Sequence, residues 1–563
     1  MTPQDKNWHS FVEAAIKVDK IADIDWDHET DVLVVGLGGA GVACALQSLE
    51  LGSSVIAVDK FEGGGATKAS GGVIYAGGGT QIQKEAGVKD TPKNMFNYLK
   101  LEVGDIVSDA CLKDFCDRSA DTIDWMIGHN VDMRPTLWPH KTSFPGPTYF
   151  LYHSDNTLIP NYKAKAKPAA RGHRGYAPFE QSKKATNLGG AFYHPLKASA
   201  VANGMTFMDY SEARQIVLDS KCKVIGLHVL QFDDPEQKEN YIKLRNKAHN
   251  LMMKFPPIIP GSKFILKRAI KMLKKASKLE EGRKSIYIRA KKGVLLSSGG
   301  FVFNSKMLGH YAPKYMRAYP LGTDGDNGSG IRLGQTAGGA IGNMDRMTAW
   351  RFINPPLSFA KGLIVNQKGE RFINEMVYGA TLGVEMVENQ DGEAWLILDK
   401  PLLKQALEDV SGDKALDFQR QLAQLNARFG TKKGKTIKAL AEKIKVPADV
   451  LEAQITKYNT HGEDGSDPHH KTTDDIARIG SPPYIAINIG LSAKLFPCPA
   501  LTLGGLKVDE KTGSVLNEKG KPVKGLYAAG RNAIGIASWN YLSGLSIADG
   551  IYSGRRAARS MGK

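Results

Sequence analysis

The chain has 563 residues, 42% hydrophobic and 24% charged, which suits a globular protein of about two to four domains. Its formal charge of +17 raises nucleic acid as a partner, but residues 238–292 hold 17 Lys+Arg against three Glu, a local +14, and the rest carries only +3. No apolar run reaches the roughly 18 residues of a membrane-crossing helix. The N-terminal stretch MTPQDKNWHSFVEAAIKVDK has no signal-peptide core. The five cysteines, Cys44, Cys111, Cys116, Cys222 and Cys498, are odd in number and lack metal-ligand spacing. We therefore expect a reducing cytoplasm and no disulfide framework.

The first clear element is DVLVVGLGGAGVACALQSLELG (31–52). Asp31–Val35 reads as a buried strand, followed by G-x-G-x-x-G as Gly36, Gly38 and Gly41, then a helix with apolar spacing. A second strand, SVIAVDK (54–60), ends in Asp59, 23 residues after Gly36. Such glycines let a pyrophosphate approach a helix N-terminus, and such an acid can hold a ribose hydroxyl. The spacing predicts a dinucleotide site at Gly36, Gly38, Gly39, Ala40, Gly41, Asp59 and Lys60. The small residues of GGGATKASGGVIYAGGG (63–79) bring a second stretch of backbone to the same ligand, through Ala66, Thr67, Ser70, Gly71 and Gly72.

Residues 95–230 read as helical, then mixed, with strands in 211–232 and again in KSIYIRAKKGVLLSSGGF (284–301). Between them lies the basic segment. From Ser262 it reads as an amphipathic helix, with Ile265, Leu266, Ala269, Ile270, Leu273 and Ala276 on one side and Lys267, Lys271, Lys274, Lys275 and Lys278 on the other. With the apolar NLMMKFPPIIP before it, the stretch 250–280 is expected to lie on a membrane surface. No nucleic-acid recognition fold accompanies it. Residues 304–483 have a different character and are expected to form a cap domain. Residues 484–563 return to short strands and a final helix. The fold class is thus α/β, a Rossmann-like domain built from 1–303 (with the insert 238–283) and 484–563, and an α+β cap between them. Asp324, Asp326 and Asn327 in TDGDNGSG look like a metal loop, but turn chemistry accounts for them and no metal is expected.

DVLVVGLGGAGVACA, GVLLSSGGF, LTLGGLKVD and GLYAAGRN resemble the FAD-binding domain of the flavoprotein family typified by fumarate reductase and succinate dehydrogenase, over roughly 28–230 and 285–560. The resemblance implies FAD, with the flavin at the cap interface near Gly300, Gly530, Arg531, Asn532, Gly544, Ser546 and Ile547. Dicarboxylate-reducing members place a His before T-x-G-G and an Arg before the last helix. Here CPAL precedes TLGG and Tyr541 stands at the Arg position, so a dicarboxylate would lose a charge partner. The stretch ASWNYLSGLSIAD (537–549) is instead similar to the 3-ketosteroid Δ4-dehydrogenases, which carry Tyr-x-Ser-Gly. RFINEMVY (371–378) supplies Tyr378 as the match to the second catalytic tyrosine.

This resemblance implies a bacterial steroid-degrading oxidoreductase that desaturates C4–C5 of a 5α- or 5β-3-ketosteroid. It also implies an external electron acceptor, with a quinone among the candidates. The expected roles are C4 proton removal by Tyr541, ketone polarisation by Ser543 or a backbone N–H near Gly544, and relay or donation by Tyr378. A Δ1-dehydrogenase or an enone reductase of the same fold is the alternative, and a non-catalytic flavin- or membrane-binding protein the remote one. Each hydroxyl also has a plain structural use: both tyrosines could pack on the ring, and Ser543 could cap the final helix.

Overall fold

The computed structural model describes residues 12–185, 188–254 and 262–563. Val32, Leu33, Val34 and Val35 are all buried, so the second half of the strand His28–Val35 has no polar face. Such a strand is stable only with neighbours on both sides and helices above and below. It pairs in parallel with Val55–Val58 and with Lys284–Leu296. Two further parallel strands extend the row, Thr206–Met208 beside Val55–Val58 and Pro522–Ala528 beside Lys284–Leu296. The two ends of the chain therefore meet in one sheet. The first half of Lys284–Leu296 also pairs antiparallel with Val224–Gln231, which continues to Ser211–Leu218.

The helix Gly39–Glu50 follows the first strand, and the final helix Leu545–Met561 packs along it. This contact is close because it is made of small residues. A methyl group on Gly554 would overlap Ala40 O and lie 3.2 Å from Cys44 N. Gly41 likewise has no room for a side chain against Gly36 O. The N-termini of both helices are thereby brought to one end of the sheet.

A second body is built on an antiparallel sheet of Leu363–Val365, Trp395–Leu398, Tyr484–Asn488 and Thr431–Gly434. Because Tyr484–Asn488 belongs to it, we propose that the chain returns to the first domain after Asn488 rather than at 484. A small sheet of Val73–Tyr75, Gly172–Arg174, Leu151–His153 and Leu137–Lys141 supplies residues to the space between the two.

The basic insert forms a helical hairpin, Pro235–Lys254 and Ser262–Leu279. The apolar FPPIIPG of 255–261 lies outside the described residues. The helix from Ser262 forms as expected, but its apolar side turns inward. Ala269 and Ala276 are buried, and Ala276 joins a cluster with Tyr210, Phe232 and Tyr241. Against its partner helix Ile265, Leu266 and Leu273 are half-buried, and among the described residues Phe264 (79% exposed) and Ile270 (47%) face outward. The lysines at 267, 271, 274, 275 and 278 are exposed.

The helix–helix contact gives a direct test. Gly554→Val should lower stability by about 2 kcal/mol or more through overpacking, read as a fall in Tm, and should weaken FAD retention because the Gly38–Ala40 turn is displaced.

Candidate active site

One continuous cavity of about 720 Å³ runs from the first glycine turn to the second body. At its first end lie Gly36, Gly38, Gly39 and Ala40. Gly38 caps the first helix with no side chain, so the helix's first N–H groups face the cavity as an anion site. Gly36 sits at φ +88°, and a side chain there would come within 2.6 Å of Ser298 Cα. Thr67 Oγ1 accepts from Gly39 N at 3.0 Å and ties the second glycine segment to the first. Asp59 lines the cavity with its carboxylate held by Leu37 N and Phe61 N, both at 2.8 Å. Burial raises its pKa while those two amides pull it back. Lys60 pairs with Glu212 at 2.6 Å.

Ala66, Ser70 and Gly71 also line the cavity, as do Gly530, Arg531, Gly544, Ser546 and Ile547. Four expected residues do not. Gly41 is spent on helix–strand packing, and Gly72, at φ +65°, lies against Leu188 O. Gly300 donates its N–H to Asp326 at 3.1 Å, and its neighbour Gly299 reaches the cavity instead. Asn532 is fully buried behind Arg531, where it accepts from Ser298 Oγ at 3.1 Å.

Arg531 is the main cation on the inner wall. Its Nη2 pairs with Asp326 at 2.7 Å, and its Nη1 is buried with no partner among the described residues. Asp326 also accepts from Thr323 N at 3.0 Å, so this acid fixes a turn and aims an arginine. Asp324 pairs with Arg245 of the insert at 2.6 Å. A glycine cradle, two helix N-termini and an unpartnered guanidinium nitrogen in one cavity fit a dinucleotide with a flavin at its inner end.

Beyond Arg531 the cavity meets a cluster of buried hydroxyls, Tyr541, Ser543, Tyr378 and Tyr152. Gly544 stands at φ +83°, where a side chain would come within 2.6 Å of Tyr75 N, and that turn aims both Tyr541 and Ser543 inward. Gly544 itself is the N-cap of the last helix, so Ser543 does not cap it. Instead Ser543 Oγ hydrogen-bonds Tyr152 OH at 2.8 Å and also faces the Tyr378 hydroxyl. Tyr378 begins the helix Gly379–Asn389, and its N–H donates to Asn156 Oδ1 at 2.6 Å. Trp350 packs on Tyr541 with ring centroids 4.7 Å apart.

Burial raises the pKa of all three tyrosines, and Tyr378 and Tyr152 are pushed well above the ordinary value. Tyr541 rises only to about 12, because the Gly544 backbone N–H and the Arg531 charge favour its anion. No described residue accepts a hydrogen bond from the Tyr541 O–H. Tyr152 was not among the expected residues. Its partner Ser543 is 391 residues away, and FLYHSD carries no local signal of the contact.

Past the hydroxyls the cavity is walled by Phe352, Phe359, Leu416, Leu422, Phe496 and Pro497. Gln419, Asn426, Ser143 and Lys184 are also among the cavity's linings, and no histidine is. Arg351, nearby and fully buried, is spent on the Phe496 and Gly490 carbonyls.

A family model described as "FAD binding domain" matches residues 31–547. The chain is 33% identical over 528 residues to the 3-oxo-5-alpha-steroid 4-dehydrogenase of Comamonas testosteroni, covering 92% of this chain and 96% of that one. It is 26% identical to the 3-oxosteroid 1-dehydrogenase of Mycobacterium tuberculosis, covering 92% of this chain and 98% of that one. Among solved structures it is similar to the 3-ketosteroid-delta4-(5alpha)-dehydrogenase of Rhodococcus jostii in complex with 4-androstene-3,17-dione. The TM-score is 0.80 at 26% identity, over 98% of this chain and 100% of that one.

The Asp326–Arg531 pair can be tested alone. Asp326→Asn should weaken FAD binding about tenfold by loosening a charge-assisted contact, measured by titrating apoprotein with FAD and following flavin fluorescence.

Proposed function

This chain belongs to the FAD-binding flavoproteins and, within them, to the 3-ketosteroid Δ4-dehydrogenases, and on that premise we propose how its residues act. It is an FAD-dependent oxidoreductase that desaturates C4–C5 of a saturated 3-ketosteroid. The observation that carries the fuller reading is the chamber beyond Arg531: an aromatic-walled space without a histidine, entered past the hydroxyls of Tyr541, Ser543 and Tyr378. A rigid hydrocarbon with one ketone fits such a space. We propose the 5α series, the one named for the Comamonas and Rhodococcus relatives.

FAD, when bound, supplies the acceptor for the C5 hydride. The residues' own task is to make C4–H acidic and to take its proton. That acidity depends on stabilising the C3 oxygen as charge develops on it. We propose that Tyr541 donates to this oxygen together with the Gly544 segment. Its free O–H and the field of Arg531, which favours negative charge at this point, support that role. Ser543 then takes the C4 proton as it passes its own to Tyr378 or Tyr152, one of which enters the step as the tyrosinate and leaves it neutral. This division departs from the sequence expectation, which gave proton removal to Tyr541. What supports the change is connectivity: Ser543 belongs to a chain of hydroxyls that can carry a proton away, and Tyr541 does not. The hydride must later leave the protein, so an external acceptor, with a membrane quinone among the candidates, completes the cycle.

We also propose peripheral contact with an anionic membrane through the insert, carried by the exposed lysines and by Phe264 and Ile270. No described helix is long and apolar enough to cross a membrane. Combined Lys267→Glu, Lys271→Glu and Lys275→Glu should release the protein from anionic vesicles about tenfold or more in a pelleting assay, since each basic residue near such a surface adds attraction; undiminished pelleting would remove the insert from this role.

The hydroxyl roles are separable by rapid-mixing kinetics with a 5α-3-ketosteroid. Tyr541→Phe should slow flavin bleaching about a hundredfold or more, and Tyr152→Phe about tenfold. A Tyr541 donor works while protonated, and a raised pKa keeps it protonated longer. With that pKa near 12, kcat/KM should therefore not fall through an ordinary tyrosine ionisation near pH ~10. A tenfold rise per pH unit that disappears in Tyr541→Phe would return proton removal to Tyr541.

A further inference from the structure

The helix Asp417–Phe429 roofs the chamber, and its sequence carries apolar residues at 418, 422, 425 and 429. That spacing places them on one face. Phe418 and Leu422 line the cavity at its outer end, yet Phe418 is 44% exposed, so the cavity opens there. The stripe continues outward through Leu425 and Phe429, the latter 64% exposed. Phe179, also exposed, lies on the short helix that packs against this one. The mouth of a chamber for an apolar ligand is thus continuous with an apolar strip that no part of the chain covers among the described residues.

The charge beside the strip has one sign. Residues 428–445 hold seven Lys+Arg against one Glu, a local +6, and all seven cations are exposed. Among the described residues none of the seven is in an ion pair. The acids nearer the mouth are already matched: Asp413 with Lys183 and Asp417 with Arg420, both at 2.7 Å, and Glu180 with Lys184 at 3.9 Å. This basic stretch is separate from the insert, which packs at the nucleotide end, where Arg245 lies 4.1 Å from the centre of the Phe61 ring.

We infer that the face formed by Leu425, Phe429 and the basic stretch 428–445 docks on an anionic lipid surface and sets the cavity mouth against it, so that substrate enters from the lipid without crossing water. An apolar stripe flanked by unpaired cations is the chemistry that binds such a surface. The inference rests on the reading of the substrate as an apolar steroid for its purpose, and on the geometry of the mouth for its place.

The test uses the full-length holoprotein and vesicles of phosphatidylcholine with or without phosphatidylglycerol. A variant combining Leu425→Ser, Phe429→Ser, Lys432→Glu and Lys433→Glu should pellet with the anionic vesicles about tenfold less than the parent. With steroid preloaded in those vesicles its turnover should fall in step, while turnover of steroid delivered in cyclodextrin should be unchanged. A charge-only variant, Lys435→Glu with Lys438→Glu, should show the same direction and guards against a folding defect in the first. Unchanged pelleting of both variants overturns the inference. So does a shift in sedimentation coefficient with pelleting unchanged, which would make this face a contact between two copies of the chain. If the parent protein turned over no steroid from either source, the substrate reading would fail, and the pelleting comparison would still decide the docking face.

Discussion

The site depends on the close approach of the first and last helices. Gly550 and Gly554 of the last helix lie against Ala40 and Cys44 of the first, so the two backbones come closer than any side-chain contact would allow. Two helices from opposite ends of the chain thereby run side by side with their N-termini toward the same end. One N-terminus offers the Gly38 and Ala40 amides to a phosphate, the Gly39 N–H being held by Thr67. The other begins directly after Tyr541 and Ser543. Separation between the cofactor cradle and the hydroxyls is thus set by rigid elements, which hold a site more exactly than loops do. The Gly544 turn completes the arrangement, since its positive φ and lack of space admit no other residue without moving Tyr75.

Given that placement, the electrostatics follow from what the chamber lacks. With no histidine among the cavity's linings, hydroxyls carry the chemistry, and burial makes each of the three tyrosines reluctant to ionise. Arg531, fixed by Asp326, faces the same space. Its effect falls on Tyr541, whose pKa rises least of the three tyrosines. A low-dielectric pocket strengthens that influence and equally penalises a charged ligand. One arrangement therefore serves both selectivity for a neutral ketone and stabilisation of the charge that develops on it.

Much of this was legible in the residues. A strand without a polar face, a glycine turn, a periodic helix and a terminal acid announce a dinucleotide domain because each has a local period or a local conformational demand. Tyr541, Ser543 and Tyr378 were legible through the resemblance, not through spacing. What stayed hidden was tertiary. Gly36 and Gly41 look alike in a motif, yet one faces the ligand and the other a neighbouring backbone. The amphipathic pattern of the insert was read correctly as a helix, but periodicity cannot say whether an apolar face meets lipid or another helix; here Ala269 and Ala276 meet the partner helix. Tyr152 was invisible because its only relevant neighbour is on the far side of the chain.

The same tertiary logic ties the cap to the chemistry. Tyr378 comes from the second body, while Tyr541, Ser543 and Tyr152 come from the first, so the hydroxyl chain is complete only when the two are docked. Asn156 holds that joint. Its Oδ1 accepts from Tyr378 N at 2.6 Å and from Lys141 Nζ at 3.1 Å, and its Nδ2 donates to Glu102 at 2.9 Å and Thr381 at 3.0 Å. All four partners are pulled to one buried amide, and none can leave without exposing an unpaired polar group in a dry interface. A cap that moved as a rigid lid would have to break this joint. Entry at the opposite end, past Phe418 and Leu422, asks for no such rupture. The geometry therefore separates a fixed joint beside the reacting carbons from an opening at the far end of the chamber, and the apolar ligand travels between them along walls dominated by Phe352, Phe359, Leu416, Leu422 and Phe496.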